Sequence, residues 1–144
     1  MPSKIRIFLW FNDRAQDAAK FYVSIFRKSR LLSHGPRSAS LRLDELELIL
    51  FNGGPYYKLN PAASLFVTCR TQAEIDYYWE KLSAGGRILR CGWLTDKFGV
   101  TWQIMPDILG GLLEKDDTGQ VMQAMLKMKK LDISKLKRAR TAGR

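Results

Sequence analysis

Apolar residues follow two rhythms along this chain, and the rhythm changes at polar or glycine-rich breaks. Ile5 to Phe11 is a short apolar, aromatic-rich run of the kind found in buried strands. Asn12-Asp13 then offers a helix cap. Over residues 14–26 the apolar groups fall at Ala18, Phe21, Tyr22, Ile25 and Phe26, which predicts a helix with one greasy face. Leu31-Leu32 opens a further strand, broken by Gly35-Pro36. Leu41, Leu43, Leu46, Leu48 and Leu50 alternate with polar residues on either side of Asp44-Glu45, the pattern of a hairpin with one buried face. Asn52-Gly53-Gly54-Pro55 ends it, and a loop runs to about Ala62.

The same order then recurs. Ser64 to Cys69 reads as a strand. Thr71-Gln72-Ala73-Glu74 is a capping box, and the helix behind it places Ile75, Tyr78, Trp79 and Leu82 on one face. Gly85-Gly86 stops that helix. Residues 87–95 and Val100 to Met105 read as strands joined by the turn Asp96-Lys97-Phe98-Gly99, and Pro106 closes the second. Helices are predicted near Ile108 to Leu113, from about Thr118, and from Ser134 into the tail. A shift of about 57 residues superposes Ile7 on Ser64 and Phe21 on Tyr78, so the β-α-β-β-β order forms a weak internal repeat.

The expected fold is therefore α+β: two βαβββ modules forming an open curled mixed sheet with a cleft inside, plus C-terminal helices. Residues 1–115 carry the paired modules, and 116–144 a helical extension with a basic tail. A ferredoxin-like α+β fold is the alternative, but it uses fewer strands than the alternating runs supply.

Composition agrees with a folded domain: 144 residues, 46% hydrophobic and 26% charged. No run approaches the ~18 apolar residues of a membrane span. Met1-Pro2-Ser3-Lys4 leads into the first apolar run without a small-residue cleavage site, which argues against a secretory signal. Cys69 and Cys91 are too few for a disulfide framework, so a cytoplasmic setting is expected. The net charge is +10, and eight of the 24 basic residues lie between Lys127 and Arg144 against one acid, Asp132. Without interleaved aromatics or a reading motif, that tail predicts a solvated helix rather than a specific nucleic-acid reader. Weak, salt-sensitive contact with phosphates or acidic lipid is the sharper alternative.

Several segments resemble the PhnB-like proteins. Phe8-Leu9-Trp10-Phe11, Ala18-Ala19-x-Phe21-Tyr22-x-Ser24-Ile25-Phe26 and Leu50-Phe51-Asn52-Gly53-Gly54-Pro55 carry the resemblance in the first half. Cys91-Gly92-Trp93-Leu94-x-Asp96-Lys97-Phe98-Gly99-Val100-x-Trp102-Gln103-Ile104 and Ala124 to Ile133 carry it in the second. The resemblance places the chain in the vicinal oxygen chelate superfamily, with glyoxalase I, bleomycin-resistance proteins and extradiol dioxygenases. Its domain often bears the label 3-demethylubiquinone-9 3-methyltransferase. The segment His34 to Ala39 is shorter than the family's usual glycine-rich loop, and the basic tail is also unusual.

The resemblance implies a cleft whose metal-using relatives place His or Gln on the first strand of each half and Glu on the last. Those positions fall here near Ile7 and Ser64, near Leu50 or Asn52, and at Gln103. This set has no anionic donor, so neither a metal nor any other cofactor is expected. Methyl transfer in the doubly wound manner needs a glycine-rich turn after the first strand, and Asn12-Asp13-Arg14-Ala15 contains no glycine. No catalytic residue is assigned. His34 reads as a loop histidine, Cys69 as core, Cys91 as structural unless Arg90 activates it, and Asp96 as a turn organiser. Trp10, Trp93, Phe98 and Trp102 are expected to line one sheet, with Gln103 facing inward and Trp102 packed under helices. The candidate ligand contacts are thus Ile7, Trp10, Asn52, Ser64, Trp93, Phe98 and Gln103. The expectation is a metal-free small-molecule-binding protein, paired as a homodimer, with Met122, Met125 and Met128 on the core or on a partner. The alternative is an enzyme acting on an apolar or aromatic, quinone-like molecule.

Overall fold

The computed structural model describes residues 3–142, and the chain divides into two compact units, residues 1–60 and 61–144. Met1-Pro2 of the N-terminal reading and Gly143-Arg144 of the tail lie outside the described residues.

The first unit runs β1 (Ile7–Phe11), α1 (Ala15–Ile25), β2 (Ser29–His34), β3 (Ser38–Leu43) and β4 (Leu46–Asn52). Its four-stranded sheet has the order β1-β4-β3-β2, with β1 parallel to β4 and the other pairs antiparallel. Side chains alternate across a strand, so one face gathers Leu9, Phe11, Leu41, Leu48 and Leu50, and α1 covers it with Ala18, Tyr22 and Ile25. Small alanines on α1 let the helix lie close to the leucines. His34, expected in a loop, is the exposed last residue of β2.

The second unit repeats the order with β5 (Leu65–Cys69), α2 (Gln72–Ser83), β6 (Arg87–Ile88), β7 (Trp93–Thr95) and β8 (Thr101–Pro106). The sheet order is β5-β8-β7-β6, again with one parallel pair, β5 with β8. Thr71 caps α2 by accepting from the Glu74 amide at 3.1 Å, as the capping box requires. Leu94, Trp102 and Ile104 pack on one side of the sheet with Ile75, Trp79 and Leu82 of α2.

The expected single strand over 87–95 is instead two pieces. Cys91 and Gly92 have φ of 59° and 83°, a left-handed pair that no strand accommodates. Their amides turn to Met128 and Lys129 carbonyls at 2.9 and 2.7 Å, and the Gly92 carbonyl accepts from Ile104 N. A Cβ on Gly92 would lie 3.0 Å from that same neighbour's carbonyl oxygen, so glycine fits the close approach.

Three helices follow: α3 (Leu109–Glu114), α4 (Gln120–Leu126) and α5 (Ile133–Ala142). They build a second core from Met105, Leu109, Leu112, Val121, Leu131 and Leu136, with Trp93 packed against it. Asp116 receives the Val121 and Met122 amides at 2.9 Å each, and Asp132 the Lys135 amide at 3.0 Å, so each carboxylate caps its helix. Gln72 joins this segment to α2: its amide donates to the Leu131 carbonyl and accepts from Ile133 N. Lys130 adds an ion pair with Asp76 at 2.9 Å. The C-terminal helices therefore share the second unit's core. Among the described residues, no helix is long and apolar enough to cross a membrane.

Candidate functional site

Each sheet has one face under its βα helix and one face turned away from it, and the strand register decides which side chains reach the second. In the second sheet, Phe66 is opposite Gln103, Gln103 opposite Trp93, and Thr68 opposite Met105. These residues therefore share the face away from α2. Trp102 lies on the α2 side at 1% exposure, as expected from its alternation with Gln103.

A groove of about 440 Å³ opens on that face. Phe66, Thr68, Trp93, Gln103 and Met105 form its sheet wall, while Leu109 and Leu113 of α3 and Met125 of α4 form the other. Its polar furniture is neutral over most of the wall: the Gln103 amide donates to Ser64 Oγ at 2.8 Å, which fixes the amide's orientation. Cys91 lines the groove as a free thiol, and the carboxylate of Asp107 stands at its exposed rim. Cys69 lies elsewhere, fully buried, and burial pushes its thiol up to about 12.

The expected site residues separate into distinct surroundings. Trp93, Gln103 and Ser64 come together in the second unit. Phe98 sits in the β7–β8 turn, outside the groove, with Lys97 Nζ 5.5 Å from its ring centre. That turn is held by buried Asp96, whose Oδ1 accepts from the amides of Phe98 and Val100 at 2.8 and 3.0 Å. Its Oδ2 accepts from Trp102 Nε1 at 2.9 Å. Asp96 thus organises the turn.

Trp10 belongs to the first sheet, so the four aromatics do not line one sheet. Its indole donates to the Gly54 carbonyl at 2.9 Å and meets Phe51 and Tyr57 edge-on, at 5.2 and 5.0 Å between centres. With Phe8 against Phe51 at 5.5 Å, this makes an aromatic patch on the face away from α1. Ile7 is opposite Leu48 and so lies on the α1 side. Asn52 is opposite Phe11, and its amide is spent on the start of α1. Oδ1 accepts from Ala15 N at 2.7 Å, and Nδ2 donates to Gln16 Oε1 at 2.8 Å. Arg14, the residue before α1, offers no side-chain cap, and Asn52 supplies the missing acceptor from across the sheet.

For Ile7 the reason is a single residue. Tyr22 and Trp79 keep the spacing of 57, but the strand ends Phe11 and Cys69 are 58 apart, because the β5–α2 connection is one residue shorter than β1–α1. One residue of slip turns every strand side chain to the other face. The structural counterpart of Phe66 is Phe8, and Phe66, Thr68 and Met105 are groove residues the spacing missed. The lengths of the polar segments, Asn12 to Arg14 against Arg70-Thr71, carried the signal.

The donor set does not fit a divalent cation. The positions turned away from the helices on β1, β4, β5 and β8 offer rings, Ile49, Met105, two threonines, the Gln103 amide, which is already bonded to Ser64, and one carboxylate, Glu47, which is already paired with Arg42. Among the described residues, no three or more His, Cys, Asp or Glu group closely enough to hold a metal. The site equally does not fit S-adenosylmethionine bound in the doubly wound manner. Each sheet has only one parallel pair, and the β1–α1 connection carries no glycine.

Comparison with known proteins places this architecture. Residues 3–105 match the family model described as 3-demethylubiquinone-9 3-methyltransferase. The chain is similar to a solved putative 3-demethylubiquinone-9 3-methyltransferase, PhnB protein, from Bacillus cereus. The identity is 34% and the TM-score 0.66, covering 72% of this chain and 99% of that one. A glyoxalase-related enzyme from Fulvimarina pelagi is 14% identical with a TM-score of 0.52, covering 73% and 89%. A fosfomycin resistance protein from Listeria monocytogenes, solved with Mn(II) and sulfate, is 13% identical with a TM-score of 0.53, covering 71% and 87%. The last two likenesses are of fold alone. No curated protein matches the chain. With its two βαβββ units and this family match over most of its length, the chain belongs to the 3-demethylubiquinone-9 3-methyltransferase family, the PhnB-like group of the vicinal oxygen chelate superfamily.

Proposed function

We propose that this protein binds a small apolar or aromatic molecule in the groove of the second unit, without a metal and without chemistry on the ligand. The observation that carries the reading is the groove's lining: rings, thioethers and leucines around one amide whose orientation Ser64 fixes. Such a wall rewards a flat apolar body with one polar group that can meet the amide. Chemistry on the ligand would call for a positioned acid or base, and the groove's one carboxylate, Asp107, stands exposed at the rim. The same reading includes a homodimer. It is supported by large apolar side chains left in solvent, among them Phe8 at 54% and Phe66 at 60% exposure.

The test is calorimetric titration with 2-naphthol, a flat apolar ring bearing one hydroxyl. Saturable one-site binding is expected, weakened about fivefold by Gln103→Ala, the worth of one neutral hydrogen bond. Added Mn(II) is expected to leave the titration unchanged. Conversion of the probe, or a requirement for the metal, would replace this reading with that of an enzyme. Light scattering near twice 16.5 kDa is expected for the dimer.

A further inference from the structure

A second, larger concavity lies on the opposite side of α3, and its chemistry is the reverse of the first. It measures about 660 Å³ and is walled by α3 and α5. Lys137, Arg140 and Thr141 fall at i, i+3 and i+4 on one face of α5 and point into it, and Lys115, just past α3, faces them. Three cations thus line one groove beside a single carboxylate, Asp107. None of the three cations takes part in an ion pair among the described residues. The floor is apolar, made by Ile108 and Leu112, and a Cβ on Gly111 would meet nothing within 4 Å, so the space beside it is open.

Cations that share a groove repel one another, and a multiply charged anion relieves that cost. An arginine fork with two lysines suits the oxygens of a phosphate, and the isoleucine and leucine beneath suit an apolar body attached to it. We propose that this groove binds the phosphoryl group of a small phosphate monoester with an apolar substituent. Here the tail's positive charge forms a shaped site rather than a diffuse polyanion surface. The occupant is a free small molecule. A lipid surface or a nucleic acid would engage the whole exposed face of α5, including Lys135 and Arg138, which stand outside the groove.

The experiment titrates the full chain with phenyl phosphate, with phenol and inorganic phosphate as comparators, and repeats it on two charge-matched double variants. Phenyl phosphate is expected to bind saturably and more tightly than inorganic phosphate, with no binding by phenol at this site. Lys137→Ala with Arg140→Ala is expected to weaken it about tenfold or more, whereas Lys135→Ala with Arg138→Ala changes it less than about twofold. Lys115→Ala, which leaves α5 intact, is expected to weaken it about fivefold and guards against a folding defect in the first pair. Equal losses in both double variants would overturn the proposal. So would tight binding of a single-stranded oligonucleotide or of anionic vesicles together with no saturable binding of phenyl phosphate.

Discussion

The two units solve the same folding problem with different chemistry at matching places. In the first, the β3–β4 turn rests on the surface. Asp44 adopts a φ of 55°, and Lys28 reaches Asp44 and Glu45 at 3.2 and 2.8 Å in full solvent. Such pairs contribute little. In the second, the β7–β8 turn closes around Asp96, buried and receiving three hydrogen bonds from the turn and from Trp102. The faces turned away from the helices differ in the same sense. The first unit leaves an aromatic patch there, whereas the second adds α3, α4 and α5 and gains a core and two grooves. A repeated topology therefore does not imply a repeated site. On the proposed reading, the binding surface is concentrated in the unit whose second face is covered.

The sharpest way to break this contrast is at the two turns. Asp96→Ala leaves two turn amides and the Trp102 indole without their acceptor and is expected to cost about 3 kcal/mol. Asp44→Gly, which relieves the positive φ, is expected to stay within about 0.5 kcal/mol. Denaturant unfolding of the two variants measures both, and equal effects would erase the distinction.

Next in size is the packing of the first unit's aromatic patch. A Cβ on Gly53 would lie 2.0 Å from Trp10 Cζ2, so Gly53→Ala has to displace the indole from Gly54. A loss of about 2 kcal/mol is expected from such overpacking, read as a lower melting temperature. Smaller still are the two helix starts. Asn52→Ala and Thr71→Ala each remove one cap and are expected to cost about 1 kcal/mol. A neutral Asn52→Ala would return that residue to the list of ligand contacts.

The last effect is on the acid side. Arg42 beside Glu47 holds that carboxyl below its ordinary 4.5, with the Ser3 amide adding to it. A depressed folded value means that the stabilisation is present above 4.5 and is lost as pH falls through the folded value. Glu47→Gln is therefore expected to lower stability at neutral pH and to flatten the acid limb, measured by denaturant midpoints from neutral pH downwards.

The order of elements was legible in the sequence because alternation and helical spacing survive in short segments: the leucines of residues 41–50, the Thr71 capping box, the Gly85-Gly86 stop. Trp102 and Gln103 were legible too, since neighbours on a strand must face opposite ways. What the sequence withheld was register. The half-repeat aligns by its helices at one spacing and by its first strands at another, and that single residue put Ile7 on the helix side and hid Phe66. Asn52 caps a helix 37 residues away in sequence, a contact that no local pattern announces. The left-handed Cys91-Gly92 pair was equally silent, because its cause is a long-range carbonyl from residues 128 and 129.

The groove between β8, α3 and α4 is proposed to take a flat apolar ligand. The direct measurement is a methyl NMR titration of the protein, labelled at its methionines, with 2-naphthol. Met105 and Met125 line the groove, and Met122 stands on the exposed side of α4 at 39% exposure. Saturable shifts are expected at Met105 and Met125, with Met122 unmoved. Shifts of equal size at all three, or none at Met105 and Met125, would contradict it.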